Sequence, residues 1–398
     1  MDFFKRFSKK QYAIAAVLLF FMAFALALRA IPALFIQDAG FLYLHDTDSY
    51  YTLRQIEVMV NHFPQYNWFD PMTAFPWGKT IGWGPLFPFI AAILCILTGA
   101  TTRDAIFFMS GWVVPIMAML MVPVMYFLGK QLWNRCAGIA AAGLIAIISL
   151  YYFTISSYGW TDHHIAEILF STVFILIYFS ALRYIQKNSI DLKKSATFLI
   201  PIIFSLGAGV ALFLALLAST TVILVLLVVA LYTAVQFILD YHQGNNSDYL
   251  FFVNVILFSA TAVLLLLFGI KQPGTSITGY SIGVVYVQGA LIAETVVLAV
   301  VGKMRAGKKW LYTVCLAVLA AGGYIFITVN PLLSAVSNQA LELVFDSSAY
   351  SVGIVETQPW TLPKAWDNFN FALFLMMGGW LFLGYALIKK RESTTVFL

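Results

Sequence analysis

The sequence predicts an all-α polytopic membrane protein, and three observations lead to this fold class. The 398-residue chain is 61% hydrophobic and only 10% charged, whereas a soluble domain carries about 25% charged residues. Many apolar runs reach the roughly 20 residues with which a helix crosses a bilayer. The alternating hydrophobicity of a transmembrane β-barrel is absent from the sequence.

The apolar runs divide into about ten predicted spans. The first run follows MDFFKRFSKK and extends to about residue 36. This is long for the apolar part of a signal peptide, so we expect an uncleaved span. The predicted spans are 11–36, 104–128, 136–151, 164–184, 196–214, 218–239, 249–269, 281–301, 310–328 and 369–388.

Basic residues set the predicted orientation of these spans. The stretch 85–99 holds two prolines and is short for a crossing. If it does not cross, the basic clusters of both termini and of the loops near 130–135, 183–194 and 303–309 share one side. The positive-inside rule makes that side cytoplasmic. We therefore expect 85–99 to rest at the outer interface or against the bundle. The net charge of +5 reflects orientation and predicts no nucleic-acid partner.

Most of the 18 acidic residues then fall in outer loops or at outer span ends. Many of them belong to two long external loops, 37–103 and 329–368. Long loops between helices are frequently functional. We therefore expect a multi-pass cell-membrane protein whose active site lies on the extracytoplasmic side.

The segment YGWTDHHIAE, residues 158–167, groups several polar side chains just before a predicted span. Asp162 and His164 are two residues apart, and in a turn this spacing can direct both at one ion. Carboxylate oxygen with a single imidazole suits Mn²⁺ or Mg²⁺ better than a structural zinc site. The alternative is that Asp162 only caps a helix while the histidines lie at the wet interface.

The first external loop opens with LHDTDSYYTLRQ, in which Asp46 and Asp48 follow the first span. A helix is predicted from about Ser49, so an N-cap role for Asp48 is again the alternative. Neither acidic motif has an obvious local basic partner, and clustered carboxylates repel unless a cation joins them. A divalent cation at the outer face suits a phosphate-linked substrate, because it can stabilise a leaving phosphate.

The second external loop contains GIVETQPW, residues 353–360. Its acid, Glu356, stands beside Gln358 and Trp360. A loop of this length favours a functional role, and a solvated glutamate is the alternative. Arg29, within the first span, is expected to snorkel outward.

Together these segments resemble the catalytic subunit of oligosaccharyltransferase, specifically its archaeal, AglB-type branch. DTDSYYTLR at 46–54 resembles the family's first D-x-D-type motif, and YGWTDHH at 158–164 resembles the second motif in its archaeal D-x-H form. WFDPMTAFPWGKTIGWGPLFPFI at 68–90 is similar to the loop after the first motif, and GIVETQPW is similar to the glutamate motif. The resemblance covers essentially the whole chain.

The resemblance implies a GT-C type glycosyltransferase transmembrane domain over residues 1–398, which performs protein N-glycosylation. An oligosaccharide would move from a dolichol phosphate or diphosphate carrier to the Asn of an Asn-X-Ser/Thr sequon. Asp48, Asp162 and His164 would hold Mn²⁺ or Mg²⁺. Asp48 and Glu356 would be the catalytic residues and would contact the acceptor amide. Further candidate substrate-binding residues are Asp46, Arg54, Lys79, His163, Glu167 and Gln358.

The chain departs from the family pattern in three places. Gly353 stands where the glutamate motif usually begins with Thr, and no arginine lies about two turns before Asp162. Carrier-phosphate binding is therefore assigned to another cation, Arg54 or Lys79. The WWDYG motif of the soluble, sequon-reading C-terminal domain is absent from this sequence. The chain is then a fragment, a partner of a separate domain or subunit, or a degenerate paralogue.

Other functions stay open at the level of sequence. A different lipid-phosphate-sugar-dependent GT-C glycosyltransferase would share the donor chemistry, and a non-catalytic paralogue would share only the fold. A transporter is less favoured, because its polar sites should lie near the bilayer midplane rather than in outer loops.

Overall fold

A computed structural model of the protein describes residues 8–38, 47–147, 150–188, 195–303, 309–331, 334–335, 337–338 and 361–390. Three of the predicted site residues, Asp46, Glu356 and Gln358, lie outside these ranges, and so does most of the predicted loop 329–368.

The described chain is built almost entirely of helices. Its two short strands form one antiparallel hairpin in which Phe69 pairs with Thr80 and Asp70 with Lys79. A 3₁₀ turn, Thr220–Val222, precedes one of the later helices. The elements in chain order are α1 (Lys9–Asp38), α2 (Thr47–Asn61), β1 (Phe69–Asp70), β2 (Lys79–Thr80), α3 (Leu86–Thr98), α4 (Arg103–Ser110), α5 (Val113–Leu132), α6 (Arg135–Ile147), α7 (Leu150–Ile155), α8 (His164–Lys187), α9 (Ser195–Ala218), α10 (Ile223–Gln243), α11 (Asp248–Phe268), α12 (Ile282–Lys303), α13 (Lys309–Val329), α14 (Leu362–Phe369) and α15 (Ala372–Lys390).

Within the described ranges, seven helical segments are long and apolar enough to cross a membrane, and the bent pair α14–α15 would be an eighth. Two of the ten predicted spans, 136–151 and 310–328, correspond to shorter apolar helices, Arg135–Ile147 and Tyr312–Ile325. The predicted number of about ten spans therefore exceeds the seven or eight described segments that are long and apolar enough to cross a membrane. The stretch predicted not to cross forms α3, which is also short and packs against α2, α4 and α5.

The chain divides into two compact units. The first unit comprises Met1–Leu176, Leu217–Ser219 and Ala365–Gly378. In it, α1 packs against α5 and α6, while α2 packs against α3 and α4. A core of small and apolar side chains, including Ala25, Val122 and Ala142, joins α1, α5 and α6.

The second unit comprises Ile177–Leu216, Thr220–Lys364 and Gly379–Leu398. In it, α12 packs against α10, α11 and α13. Its buried polar groups are paired across helices: the Tyr178 hydroxyl donates to Oδ1 of Asn254, whose amide donates to Thr233. Such interhelical hydrogen bonds satisfy polar groups that have no water available to them.

Candidate active site

The segment that joins α7 to α8 carries the D-x-H motif, and Tyr158 holds it against α1 and α4. The backbone N–H of Tyr158 donates to the carbonyl of Arg29 at 2.9 Å, and its hydroxyl donates to the carbonyl of Phe108 at 3.0 Å. Its ring packs edge-on against Trp112, with centroids 5.4 Å apart. A Cβ on Gly111 would lie 2.8 Å from this ring. The glycine therefore leaves the room that Tyr158 needs.

Arg29 is fully buried, and the prediction that its side chain snorkels outward is wrong. Its Nε donates to Oγ of Ser156 at 2.7 Å, and Nη1 donates to the carbonyl of Ala146 at 2.8 Å. The guanidinium also lies 4.9 Å from the ring centre of Phe153. Backbone carbonyls, a hydroxyl and an aromatic ring face thus stabilise the guanidinium charge inside the protein. Arg29 links α1 to the segment just before the D-x-H motif.

Asp162 lies at the centre of the polar cluster and is 1% exposed. Its Oδ1 accepts from the backbone N–H of His163 at 2.6 Å and lies 2.7 Å from Nδ1 of that ring. Burial alone raises the pKa of Asp162, but the hydrogen bonds and charge of His163 and the charge of His164 outweigh it and lower the pKa to about 2. Because an ionised carboxylate only accepts, Nδ1 of His163 carries the hydrogen.

The second oxygen of Asp162 receives no hydrogen bond from any residue in the described ranges. Nε2 of His164 lies 3.2 Å from this oxygen. Two ligands bound at about 2.1 Å to one octahedral ion lie about 3 Å apart. The pair therefore fits a divalent cation, and the buried orphan oxygen would gain the partner it lacks.

His163, His164 and Glu167 form a second grouping with metal-ligand chemistry. Ligand atoms of the three side chains all lie within 4.8 Å of one another. The centroids of the two imidazole rings are 4.6 Å apart, and Nδ1 of His164 is 3.9 Å from Oε2 of Glu167. Two imidazoles with one carboxylate would also suit Zn²⁺ or another transition metal.

Helix α2 contacts Asp162 through Thr52, a residue that the sequence did not single out. The hydroxyl of Thr52 donates to Oδ1 of Asp162 at 3.4 Å. Asp48 lies four residues earlier on α2, and residues at this spacing share one helix face. Asp48 is exposed and stands in the first turn, where a carboxylate is favoured by the helix dipole. The predicted metal set of Asp48, Asp162 and His164 stays a prediction.

The two cations considered for the carrier phosphate have different surroundings. Arg54 pairs with the buried carboxylate of Asp70 at 2.7 Å. Among the described residues, the exposed side chain of Lys79 has neither an ion pair nor a hydrogen bond. Lys79 is therefore the better placed of the two to bind an anion.

Comparison with known proteins decides the family. The profile described as "Oligosaccharyl transferase STT3, N-terminal" matches residues 12–397. The chain belongs to this family. The match spans nearly the whole sequence, so it includes every predicted site residue.

Curated relatives of this oligosaccharyl transferase family member share about a quarter of its residues where they align. Dolichyl-phosphooligosaccharide-protein glycotransferase 3 of Archaeoglobus fulgidus is 25% identical over an alignment of 378 positions, which covers 88% of this chain and 42% of the relative. Dolichyl-monophosphooligosaccharide–protein glycotransferase AglB of Haloferax volcanii is 25% identical over an alignment of 250 positions, which covers 61% of this chain and 24% of the relative. This chain thus spans less than half the length of either.

Solved structures establish the fold. The archaeal oligosaccharyltransferase AglB from Archaeoglobus fulgidus, in complex with an inhibitory peptide and a dolichol-phosphate, superimposes with a TM-score of 0.83 at 21% identity. The alignment covers 98% of this chain and 46% of that one. A complex of an Archaeoglobus fulgidus oligosaccharyltransferase with zinc and sulfate gives 0.76 at 21% identity, over 96% of this chain and 44% of that one. The predicted all-α polytopic fold of the GT-C type is confirmed.

Proposed function

We propose that this chain forms the donor and catalytic part of a metal-dependent oligosaccharyltransferase. It transfers an oligosaccharide from a dolichol phosphate or diphosphate carrier to the Asn of an Asn-X-Ser/Thr sequon. The proposal rests on family membership, on the lipid and peptide named in the structure of a relative, and on the cluster around Asp162. The family match favours this reaction over transport.

The observation that carries the proposal is the junction of α2 with the D-x-H segment. Thr52 contacts Asp162, Asp48 lies one turn away on the same face of α2, and Nε2 of His164 is 3.2 Å from the orphan oxygen of Asp162. The contact of Thr52 with Asp162 supports an approach of Asp48, on the same face of α2, to the pair formed by Asp162 and His164. A divalent cation would supply the buried oxygen of Asp162 with the partner that a helix-capping role alone does not provide.

We assign Asp48, Asp162 and His164 as ligands of Mn²⁺ or Mg²⁺. When bound, the cation would stabilise the negative charge that develops on the leaving phosphate. Of the protein's own groups, His163 keeps Asp162 ionised and fixed in orientation through its two hydrogen bonds. The structure of a relative with zinc supports a metal site in this fold.

We assign the contacts with the acceptor amide nitrogen to Asp48 and Glu356. The reaction breaks the bond from the anomeric carbon to a phosphate oxygen, forms a bond from that carbon to the asparagine nitrogen, and releases one amide proton. An amide nitrogen is a weak nucleophile because its lone pair is conjugated with the carbonyl. Two carboxylates that accept its N–H bonds favour a geometry in which this conjugation is reduced.

Lys79 is the cation we assign to the carrier phosphate, since Arg54 is paired with Asp70. Asp46, Gln358 and Glu167 remain assigned to substrate contacts. The basic loops and the N-terminus are placed in the cytoplasm and the site on the extracytoplasmic side, in accordance with the distribution of Lys and Arg.

The proposal is tested with the purified chain, a lipid-linked oligosaccharide and an Asn-X-Thr peptide, in Mn²⁺ or in EDTA. Glycopeptide and released glycan are both measured for the wild type, Asp162→Asn and Asp48→Ala. Asp104→Asn serves as the matched control, because Asp104 is an exposed acid in the first turn of α4. We expect Mn²⁺-dependent glycopeptide from the wild type and the control, and none from the other two variants.

Other outcomes separate the alternatives. Metal-dependent release of free glycan without glycopeptide would indicate a working donor site that needs a sequon-reading domain. Activity that persists in Asp48→Ala and Asp162→Asn, or in EDTA, would refute the assigned metal site. If neither product forms, the soluble domain of a relative is added, and continued inactivity would count against the transferase assignment.

A further inference from the structure

The hairpin formed by β1 and β2 ends in a tip of exposed apolar side chains. Met72 is 62% exposed, Phe75 72% and Trp77 83%. Single exposed apolar residues are ordinary, whereas a contiguous group of large ones marks a surface that contacts something apolar. Phe69 and Trp83 extend the exposed group at the base of the hairpin.

The fold holds this tip in place from below. The buried carboxylate of Asp70 accepts from Arg54, from the backbone N–H of Met72 at 2.9 Å and from the hydroxyl of Thr73 at 2.8 Å. Gly78 has φ +73°, and a Cβ there would collide with the ring of Phe69. The exposed side chains therefore project from an ordered base, so their exposure is a property of the folded hairpin.

Two ion pairs tie the hairpin to the end of a candidate membrane span. Arg54 binds Asp70, and three residues later on α2 Glu57 binds Arg103 at 3.1 Å. Three helical residues advance about 4.5 Å along the axis. Arg103 is the first residue of the apolar segment Arg103–Leu132. The base of the hairpin thus lies close to the level at which that span leaves the bilayer.

The composition of the hairpin matches a lipid interface. Tryptophan and other aromatic side chains concentrate at the boundary between hydrocarbon and headgroups. Asp70 is the only acid within 69–83, and it is buried, so no exposed carboxylate of this segment would repel anionic headgroups. Lys79 at the base adds an exposed cation. Juxtamembrane basic residues are attracted to anionic lipid.

We propose that the tip of this hairpin, formed by Met72, Phe75 and Trp77, inserts into the interfacial region of the leaflet beside Arg103 and anchors the first external loop to the membrane surface. This attachment goes beyond sugar transfer and does not depend on it. Through the Arg54–Asp70 pair it fixes α2 near the bilayer. Lys79 then lies at the level of lipid phosphates, which agrees with its assignment to the carrier.

The test measures the depth of a spin label on the full chain in vesicles of phosphatidylcholine and phosphatidylglycerol. The exposed Cys136 and Cys315 are replaced with Ser, and the buried Cys95 is kept. A nitroxide is attached at Phe75→Cys, or at Asn61→Cys as the matched control on the exposed end of α2. Collisions with dissolved oxygen and with a water-soluble nickel complex are then recorded by electron paramagnetic resonance.

We expect a several-fold higher ratio of oxygen to nickel collisions for the label at 75 than for the label at 61. Equally low ratios at both positions would place the tip in water and overturn the proposal. Low accessibility to both reagents at 75, or a ratio that rises only with acceptor peptide or at high protein density, would indicate a protein or substrate contact and would also overturn it. Trp77→Cys repeats the measurement if Phe75→Cys does not fold. The parent with Cys95 alone must take up no label.

Discussion

Thr52 and Asp162 are 110 residues apart in the sequence, and the hydroxyl of Thr52 donates a hydrogen bond of 3.4 Å to Oδ1 of Asp162. This contact joins the helix of the first acidic motif to the segment of the second. The pair of Asp162 and His164 at the start of α8 is therefore also in contact with α2. The position of α2 is part of the site, and changes in α2 that leave every proposed ligand in place should still alter metal binding.

Thr52→Val should weaken the dependence on metal without removing a ligand. Partners that orient a ligand typically contribute 10–100-fold in metal affinity or activity. We expect the Mn²⁺ concentration for half-maximal glycopeptide formation to rise about 10-fold, since the bond is long. The control is Thr98→Val, whose hydroxyl bonds only within α3. If Thr52→Val needs the same Mn²⁺ concentration for half-maximal glycopeptide formation as the wild type, the contact does not contribute to metal binding.

Gly111→Ala should displace Tyr158 and with it the D-x-H segment. The added Cβ would lie 2.8 Å from a buried ring, whereas at Gly82 a Cβ meets nothing within 4 Å. Overpacking of this kind costs about 1–3 kcal/mol. Thermal unfolding and glycopeptide formation should both fall for Gly111→Ala and stay near wild type for Gly82→Ala. Matching behaviour of the two variants would mean that the Tyr158 ring can move freely.

Lys79→Gln and Arg54→Gln should have different effects, the first on binding of the lipid-linked donor and the second on stability. Lys79→Gln should raise KM for the lipid-linked oligosaccharide about 10-fold, with KM for the peptide unchanged, because one charge interaction with phosphate is worth about 1.4 kcal/mol or more. Arg54→Gln leaves the buried Asp70 without its cation, so it should also lower the unfolding temperature. If Lys79→Gln leaves the donor KM unchanged, the phosphate is bound elsewhere.

The hairpin should loosen in acid through Asp70. Burial raises the pKa of Asp70, but the N–H of Met72, the hydroxyl of Thr73 and the charge of Arg54 outweigh it, and the pKa is lowered. An unfolded aspartate titrates at about 3.9. The stabilisation is therefore complete above about pH 3.9 and is lost as the pH falls through the lower folded pKa.

The mobility of a label at Phe75→Cys measures this transition. We expect it to increase in that acid range for the parent, and to be high at every pH when Asp70→Asn is added. Asp104→Asn is the matched control and should behave as the parent. An acid transition that persists unchanged in Asp70→Asn would assign it to another group.

Arg29→Gln should destabilise the first unit. The variant removes hydrogen bonds from a charged donor to Ser156 and Ala146, each of which is worth about 1.5–3 kcal/mol. Arg29→Lys should recover only part of this, because an ammonium cannot reproduce the planar fork. A double-mutant cycle with Ser156→Ala, followed by thermal unfolding, measures the coupling. A coupling energy near zero would contradict the interaction.

The spans were predictable because apolar runs of sufficient length have few alternatives in water or lipid. Length was the weak point. Residues 136–151 were predicted as one span, and the described helices in that stretch are α6, Arg135–Ile147, and the start of α7. The predicted start of α2 near Ser49 agrees within two residues with Thr47, the first residue described there. Helix ends depend on local capping and tertiary contacts that hydrophobicity does not report.

The partners of the charged residues were less predictable. Asp162 and His164 come together because they are neighbours in sequence, and the motif indicated them. Arg54 and Asp70 meet across a loop whose path the sequence does not encode in any simple pattern. Arg29 binds backbone carbonyls, which every residue possesses, so no complementary acid could be found. Its presence in an apolar span was the available signal.

Arg29 also has a consequence for biogenesis. Its partner Ser156 is 127 residues further along the chain, so at about 5–20 residues per second the ribosome supplies it roughly 6–25 s later. In that interval α1 carries an uncompensated charge, whose cost in an inserted helix is about 2.5–3.5 kcal/mol at the bilayer centre and falls towards the helix ends. The first helix should therefore stay loosely held at the insertion machinery until residues 145–156 emerge, and crosslinking of stalled nascent chains shorter and longer than this point would detect the change.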